Sequence, residues 1–373
     1  MRAGLTGRIS GCILAPMGAC SFILIWAVFF PGKSTASEPK KVRFAIQFHS
    51  NNDAAAPYVR AAKKFKQLVE NRTDGRLQVN IMNLEVFGSG RANRAKAALD
   101  ALAAGKLEMC DVSGDSVAQA FEPRLNIFDV PYLIRDYEHA ERIVSGPIAR
   151  RLLERLPEHR IAGLAFTYSG GFRIVASRKP LDVENLKNLK VHVVQNEVRT
   201  SQFEAWGARP VVAPREDGAF LVLQDKVEAI ESTYNQFAGP GSHHGFVRTL
   251  PVINELGHNF FVTVMLANND FLASLPEKDR AALLASANEA AVFERQETIR
   301  DNDAVRDQWI RAGGRVAVLP EKSRRALAAA SASSRRKAEA IIGGGLIQAV
   351  EALAPATQAG RGAAASSLQL ARD

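Results

Sequence analysis

The chain has 373 residues, of which 47% are hydrophobic and 23% are charged, a balance typical of a globular protein. Its formal net charge is +9, but basic and acidic residues alternate along the sequence. Because a nucleic-acid surface needs a concentrated basic patch, we exclude nucleic acid as a partner.

The first 36 residues are predicted to be a signal peptide. Arg2 and Arg8 form a basic start, Ala19–Phe30 is apolar except for Ser21, and Ser34-Thr35-Ala36 offers small residues for cleavage. The apolar run is shorter than the ~20 residues that an isolated membrane-spanning helix needs. Export with cleavage of the leader is therefore expected. An uncleaved leader that anchors the protein is the alternative.

The next part of the chain predicts a β-α-β-α-β unit. Its apolar patterns predict three strands, at Val42–Phe48, Leu77–Met82 and Met109–Val112. They are separated by helices predicted at Ala54–Asn71 and Ala92–Ala104. Crossovers of this length join parallel strands, so the sequence predicts an α/β fold.

The rest of the chain predicts a second α/β unit and a long helix. Further strands are expected at 164–168, 173–176, 190–194, 211–213, 227–231, 260–267 and 315–319. Helices are expected at 140–156, 196–206, 215–225, 276–312 and 322–352, and residues 126–132 are expected to form a loop. Two such units predict two lobes with a cleft between them, which close around a ligand by hinge motion.

The predicted lobes are discontinuous in sequence. Lobe I comprises residues 37–166 and 254–290, and lobe II comprises residues 167–253 and 291–352. The segment 353–373 is rich in small and polar residues and is expected to be a disordered tail.

Motifs for metal, cofactor or covalent chemistry are missing from the sequence. Cys110 is the one cysteine outside the leader, and we expect it to be buried by packing. The His243-His244 pair lacks a clear third ligand, so no metal is predicted. No phosphate-binding glycine loop or nucleophile elbow follows a strand, so no cofactor is predicted either.

A series of short motifs runs in order between residues 42 and 320. It includes Thr73-Asp74-Gly75-Arg76, Phe128–Leu133, Gly171-Phe172-Arg173, Asp182–Val191 and Gly207–Glu231. In order and spacing this series resembles the solute-binding proteins of tripartite ATP-independent periplasmic (TRAP) transporters. The resemblance implies a two-lobed periplasmic-binding-protein-like fold with a ligand cleft and a long shared helix. It also implies a periplasmic receptor, not an enzyme, that passes a small organic anion, a carboxylate, to membrane permease subunits.

The resemblance points to three residues for the ligand's carboxylate. In the family, an arginine that follows the strand motif clamps this group through two parallel hydrogen bonds, and here that position holds His192. Arg173 matches a second ligand-facing arginine, and its alternative role is an ion pair with Glu228 or Glu231. Arg215 could restore the cation that is missing at His192, or it could lie in solvent.

Further candidates surround these three. Glu231 matches an acid at the end of the family's Gly-Ala-x-Pro to Asp-Gly-x-Glu block, where it could equally be structural, and Ser232 and Asn235 could hydrogen-bond to ligand hydroxyls. Asn51 and Asp115 follow predicted strands, and open α/β folds bind ligands at the carboxyl ends of their strands. All eight are predicted ligand-binding residues.

A competing hypothesis is an enzyme on the same fold. It would use His192 with Glu228 or Glu231 as an acid–base pair. A ligand-sensing domain anchored by an uncleaved leader is a further alternative.

Overall fold

A computed structural model describes residues 38–46, 56–88, 91–237 and 244–354 of the chain. The predicted signal peptide, Asn51 and nearly all of the predicted tail lie outside these ranges. None of the helices within them combines the length and the apolar character that a bilayer crossing requires.

The described residues contain ten strands and thirteen α-helices. The strands are β1 Lys40–Ile46, β2 Leu77–Asn83, β3 Met109–Ser113, β4 Ile161–Ser177, β5 Lys190–Val193, β6 Arg209–Val212, β7 Ala229–Thr233, β8 Val252–Glu255, β9 Phe260–Asn268 and β10 Arg315–Val318. The first seven helices are α1 Pro57–Arg72, α2 Arg91–Ala103, α3 Gly114–Ala120, α4 Tyr137–Val144, α5 Pro147–Leu153, α6 Glu197–Ala205 and α7 Gly218–Leu223. The others are α8 His244–Thr249, α9 Asn269–Ala273, α10 Glu277–Arg311, α11 Glu321–Ala330, α12 Ala332–Ile342 and α13 Gly344–Ala352.

The strands form two groups that share β4. In the first group β1 pairs in parallel with β2 and β3, and β3 pairs antiparallel with β9. In the second group β5 pairs in parallel with β6 and β7, and β8 pairs in parallel with β10. The predicted parallel β-α-β-α-β unit and the two-lobed α/β fold are confirmed.

Helix α10 is the long helix that both lobes share, as the sequence predicts. Near its start, Leu283 and Ala287 pack in the same apolar cluster as α1 and β1. Near its end, Val305 and Trp309 pack with residues of β4, β7 and β8. One rigid helix therefore contributes to the core on both sides of the cleft.

The last helices bridge the two groups of strands. Ser334 of α12 donates a hydrogen bond to the Val198 carbonyl on α6. The His139 ring on α4 contacts the Val350 carbonyl on α13 at 2.9 Å. Residues 332–352 thus pack against helices of both groups of strands. The assignment of this segment to lobe II, and the lobe boundaries as a whole, stay a prediction.

Several predicted elements are wrong in extent. The helix predicted over 140–156 is two helices, α4 and α5, because Pro147 disfavours the helical conformation at Gly146. Residues 215–225 form a 3-10 turn, Arg215–Asp217, followed by the short α7. The segment 322–352 is three helices, and the loop predicted over 126–132 begins within the 3-10 helix Pro123–Asp129.

Strand β4 carries the chain from one lobe to the other. Its residues up to Phe172 pair with β9, whereas those from Arg173 onward pair with β7. At the change of partner, Ser169, Gly170 and Gly171 adopt φ angles of 45°, 141° and 67°. Two separate strands were predicted here, but the ladder resumes after the kink and makes one strand.

Helix α10 fixes this kink through buried hydrogen bonds. The carboxylate of Glu294 accepts from the backbone N–H groups of Tyr168 and Ser169 at 2.7 and 2.8 Å. About two turns further along α10, Asn302 donates to the Gly170 carbonyl at 2.9 Å. Three backbone polar groups at the kink are thus satisfied by the helix that both lobes share.

Replacing Gly170 by alanine should lower the free energy of unfolding by about 1–3 kcal/mol. A Cβ atom at Gly170 would lie 2.7 Å from the Thr233 side chain, and its φ of 141° disfavours any residue with a side chain. Thermal melts measure the effect. Gly344→Ala is the control, because nothing lies within 4 Å of a Cβ atom added there. Equal melting temperatures for wild type and Gly170→Ala would contradict the account of the kink.

Candidate functional site

A cavity of about 520 Å³ is lined by residues from both groups of strands. Asp111 on β3 and Asp115 on α3 come from the side of the first group. His192 on β5, Glu231 on β7 and Arg215 after β6 come from the side of the second. Aromatic side chains form much of its apolar wall, among them Phe44, Tyr58, Phe237, Phe246 and Phe261. The volume falls in the usual range of small-molecule sites, and the mixture of apolar wall and few polar groups is typical of them.

Arg173 lies in this cavity, but it already has two acidic partners. The side chain is 6% exposed, and Nη1 donates to Glu231 at 3.0 Å. Nη2 lies 3.4 Å from Asp115, and the guanidinium carbon stands 4.9 Å above the centre of the Phe261 ring. The ion pair with Glu231 is one of the alternatives that the sequence raised. Of the five guanidinium donors, Nε has no partner among the described residues.

A second arginine, which sequence reasoning missed, lies directly behind the first. Arg199 on α6 is fully buried and donates to Asp129 at 2.7 Å and to Asp115 at 3.0 Å. Asn196 caps the start of α6 and also donates to Asp129, at 3.1 Å. Asp115 therefore bridges two guanidinium groups, and it positions Arg173 at the cavity wall.

Protonation in this cluster follows from burial and the two arginines. Burial acts to raise the pKa of Asp115, but Arg199 and Arg173 outweigh it and hold the pKa at about 2. Burial raises the pKa of Asp129, and the adjacent Asp115 charge adds to that effect. Asp115 is thus the anion that neutralises the arginines, while Asp129 is the carboxyl group that more readily holds a proton.

Glu231 is a buried anion that Arg173 compensates. Burial acts to raise its pKa, yet the Arg173 charge dominates and the pKa is about 2. The second oxygen, Oε1, has no hydrogen bond and lies 3.6 Å from Nε2 of the fully buried His258. Burial lowers the pKa of His258, so that ring is neutral at pH 7. The structure thus places the predicted Glu231 in the cavity wall as the partner of Arg173.

His192 lies at the centre of β5 and lines the cavity. It is 1% exposed, and Nε2 lies 3.2 and 3.1 Å from the carbonyl oxygens of Ala213 and Pro214. Because carbonyls only accept hydrogen bonds, Nε2 carries the proton. A Cβ atom on Gly218 would lie 2.9 Å from Nδ1, so the ring packs closely against the start of α7. The imidazole is held in place by the protein's own backbone.

The remaining predicted residues divide into three cases. Arg215 is half-buried, lines the cavity and has no ion-pair partner among the described residues. Ser232 also lines the cavity. Asn235 is not among the described lining residues. Its amide instead donates to the Ser169 carbonyl at the β4 kink, at 2.5 Å. Asn51 lies outside the described residues.

The acid–base pair required by the enzyme hypothesis is not assembled in the described residues. His192 is bonded to the Ala213 and Pro214 carbonyls, and Glu231 is bonded to Arg173. Glu228 accepts a long hydrogen bond of 3.4 Å from the Lys190 backbone. No hydrogen bond joins the imidazole to either glutamate.

Asp111 lines the cavity and is a second charged residue that sequence reasoning missed. Burial raises its pKa to about 7, and the nearby Glu294 charge raises it further, against hydrogen bonds from Thr263 and Thr167. The strand pattern around it, with buried Cys110 and Val112 on either side, indicates only that Asp111 faces away from that core. Cys110 itself is buried, as expected.

The raised pKa of Asp111 predicts a pH-dependent stability. The native state binds this proton more tightly than the unfolded state, so stability falls as pH rises from about 4 to about 7. Asp111→Asn removes the effect. In thermal melts from pH 4 to pH 8, the melting temperature of the variant relative to that of wild type should increase as pH rises. A constant difference across that range would contradict the assignment.

The sequence and the fold have counterparts among known proteins. The sequence profile of bacterial extracellular solute-binding proteins, family 7, matches residues 48–340, which is well over half of the chain. The 2,3-diketo-L-gulonate-binding periplasmic protein YiaO of Escherichia coli is 24% identical over 81% of this chain and 88% of its own. The C4-dicarboxylate-binding periplasmic protein DctP of Shewanella loihica is 26% identical over 74% of this chain and 80% of its own.

Solved structures share the same fold. A TRAP periplasmic solute-binding protein from Ochrobactrum anthropi aligns with a TM-score of 0.76 and 22% identity, over 85% of this chain and 95% of its own. Another from Shewanella oneidensis, with bound succinate, aligns with a TM-score of 0.73 and 22% identity, over 85% of this chain and 99% of its own. Together with the family profile, these likenesses show that the chain belongs to the bacterial extracellular solute-binding proteins of family 7.

Proposed function

We propose that the cavity captures a small organic carboxylate and that Arg173 is its main anchor. The carrying observation is a guanidinium at the wall of an apolar cavity, held in a fixed orientation by Glu231 and Asp115. Charge-assisted hydrogen bonds from a preorganised guanidinium fork suit a carboxylate in both shape and charge. The relatives are named for C4-dicarboxylate and 2,3-diketo-L-gulonate, and one solved neighbour holds succinate, so acids recur among their ligands.

Other residues have proposed supporting roles. Arg215 lines the cavity and has no acidic partner within the described part of the chain, so it can supply a second contact to an anion. His192, Ser232 and Asp115 line the same space, whereas Asn235 supports the site through the β4 kink. Asn51 keeps its predicted role. The receptor binds its ligand without turnover.

We further propose that residues 1–36 direct export and are then removed. The protein would act in the periplasm and deliver its solute to the permease subunits of a TRAP transporter. Sequencing the N-terminus of protein recovered from the native host tests the export step. A mature chain that begins near residue 37 supports it, and an intact Met1 in a membrane fraction supports the anchored alternative.

Thermal melts with a panel of mono-, di- and sugar carboxylates test the binding function. A ligand at 100 times its Kd stabilises the native state by about 2.7 kcal/mol, which raises the melting temperature. We expect at least one acid to do so, with the compound recovered unchanged after incubation. Matched neutral amides are the control and should have no effect. Conversion of the acid to a product would support the enzyme instead.

A further inference from the structure

Asp111 presents an acidic group to the cavity, away from the Arg173 pair. It lies on β3, is only partly buried and lines the cavity. The Thr167 hydroxyl donates to its carboxylate at 3.2 Å, and Thr263 also hydrogen-bonds to it. Within the described ranges no lysine or arginine pairs with it. A partly desolvated carboxylate without a counter-cation is costly unless it takes up a proton or a partner arrives from the cavity.

The neighbouring charge is also negative. Glu294 on α10 lines the cavity beside Asp111 and is fully buried. Its carboxylate accepts hydrogen bonds from the Tyr168 and Ser169 backbone and from the Thr298 hydroxyl. It therefore provides neither a positive charge nor a hydrogen-bond donor to a ligand. This end of the cavity therefore combines negative charge with hydroxyl groups that already serve Asp111.

Strand β9 sets the separation between the acidic end and Arg173. The guanidinium of Arg173 lies over Phe261, and Asp111 is bonded to Thr263. Residues two apart on a strand share one face and are about 7 Å apart. A small molecule in the cavity can thus reach Arg173 with one end and Asp111 with the other.

Arg215, the cation for which the described residues provide no acidic partner, lies in the 3-10 turn after β6. It follows β6, whereas Asp111 is on β3, and β9, β4, β7 and β5 lie between those two strands. Among the described residues, Arg215 makes no ion pair with Asp111, and no cation acts on the pKa of Asp111.

We propose that Asp111 is a specificity-determining residue that accepts a hydrogen bond from an amino or hydroxyl group at the end of the ligand opposite its carboxylate. This deepens the proposed carboxylate binding at Arg173 and rests on it. The preferred ligand is a monocarboxylic acid with a donor at its distal end. A dicarboxylate is disfavoured, because its second carboxylate would face Asp111 and Glu294.

Matched ligands isolate this choice. Calorimetric titration at pH 8 compares straight-chain acids of four to six carbons whose last carbon carries an amine, a hydroxyl, a carboxylate or only hydrogen. Gluconate and glucarate form a further pair that differs only at the last carbon. We expect the amino or hydroxy acid to bind more tightly than the diacid and the plain acid of equal length, and gluconate more tightly than glucarate.

Variants assign the preference to Asp111. Asp111→Asn should weaken binding of the amino acid at least about tenfold while leaving the plain acid unchanged. Asp217→Asn is the control, since this exposed aspartate near the cavity is outside the described lining.

The pH dependence of binding by the wild-type protein gives a second readout that needs no substitution. Because Asp111 takes up a proton near pH 7, binding of the amino acid should become weaker and binding of the diacid tighter as pH falls from 8 to 6. Asp111→Asn should abolish both trends.

The outcomes separate this inference from the proposed function. Tightest binding by the diacids at pH 8, with rankings unchanged in Asp111→Asn, would overturn the role of Asp111 but leave carboxylate binding intact. Failure of every acid in the series to bind would reject the proposed function for this ligand class, and the role of Asp111 with it.

Discussion

Replacing Arg199 by methionine should lower the free energy of unfolding by about 3–5 kcal/mol. The substitution keeps an unbranched apolar stem in the fully buried site but removes the guanidinium that pairs with Asp115 and Asp129. Two carboxyl groups are then left in a desolvated region with one arginine fewer. Urea denaturation followed by circular dichroism measures the loss.

Two further variants test the cause of that loss. Arg178→Met breaks an exposed ion pair with Asp225 and should change stability by less than about 1 kcal/mol. Adding Asp129→Asn to Arg199→Met replaces the carboxyl group that has lost its arginine by a neutral amide and should recover part of the stability. An Arg199→Met protein as stable as wild type would show that the ion pairs of Arg199 with Asp115 and Asp129 do not stabilise the native state.

Replacing Arg173 by glutamine should weaken carboxylate binding by more than about tenfold, since hydrogen bonds to charged groups contribute roughly 1.5–3 kcal/mol. Glutamine keeps a polar group near the wall but loses the charge and the paired donors. It also leaves the fully buried Glu231 carboxylate without its partner, so the variant should be less stable.

The double variant Arg173→Gln/Glu231→Gln separates these two effects. It removes the buried anion together with its cation, so stability should recover while the affinity stays low. Arg173→Lys is a second comparison: it keeps the charge but loses the planar fork, and intermediate affinity is expected. Calorimetric titration at a temperature well below each melting point gives the affinities. Unchanged affinity in the double variant would remove Arg173 from the binding site.

The sequence predicts the fold well where local patterns agree with tertiary packing. Val42, Phe44 and Ile46 lie on one buried face of β1, as their spacing predicts, and Gly105 follows the end of α2. The kink in β4 is only half visible. Gly170-Gly171 marks a break, but the continuation of the strand depends on hydrogen bonds from α10, more than 100 residues away in sequence.

The site is predicted less completely, for a physical reason. Arg173 and Arg215 are cations beside recognisable strand and turn motifs, and both line the cavity. Arg199 is a charged residue within a helix, which ordinarily indicates a solvated face, and its burial becomes visible only when Asp115 and Asp129 are brought together. Asp111 was missed because its lack of a counter-cation is a property of the assembled cavity rather than of its local sequence.

His192 illustrates a limit of motif matching. The sequence places it where the family carries a carboxylate-clamping arginine. The structure shows its Nε2 already bonded to the carbonyls of Ala213 and Pro214, with the ring 1% exposed. We therefore expect the ligand's charge to be met by Arg173 and Arg215, and the ligand need not resemble that of a relative with two clamping arginines.

A crystal structure of the protein with a carboxylate identified by the binding panel tests the central claim most directly. We predict a carboxylate oxygen within hydrogen-bonding distance of the Arg173 guanidinium, inside the cavity that Asp115 and Glu231 help to line. A ligand whose carboxylate lies elsewhere, with Arg173 still bonded only to Glu231 and Asp115, would contradict it.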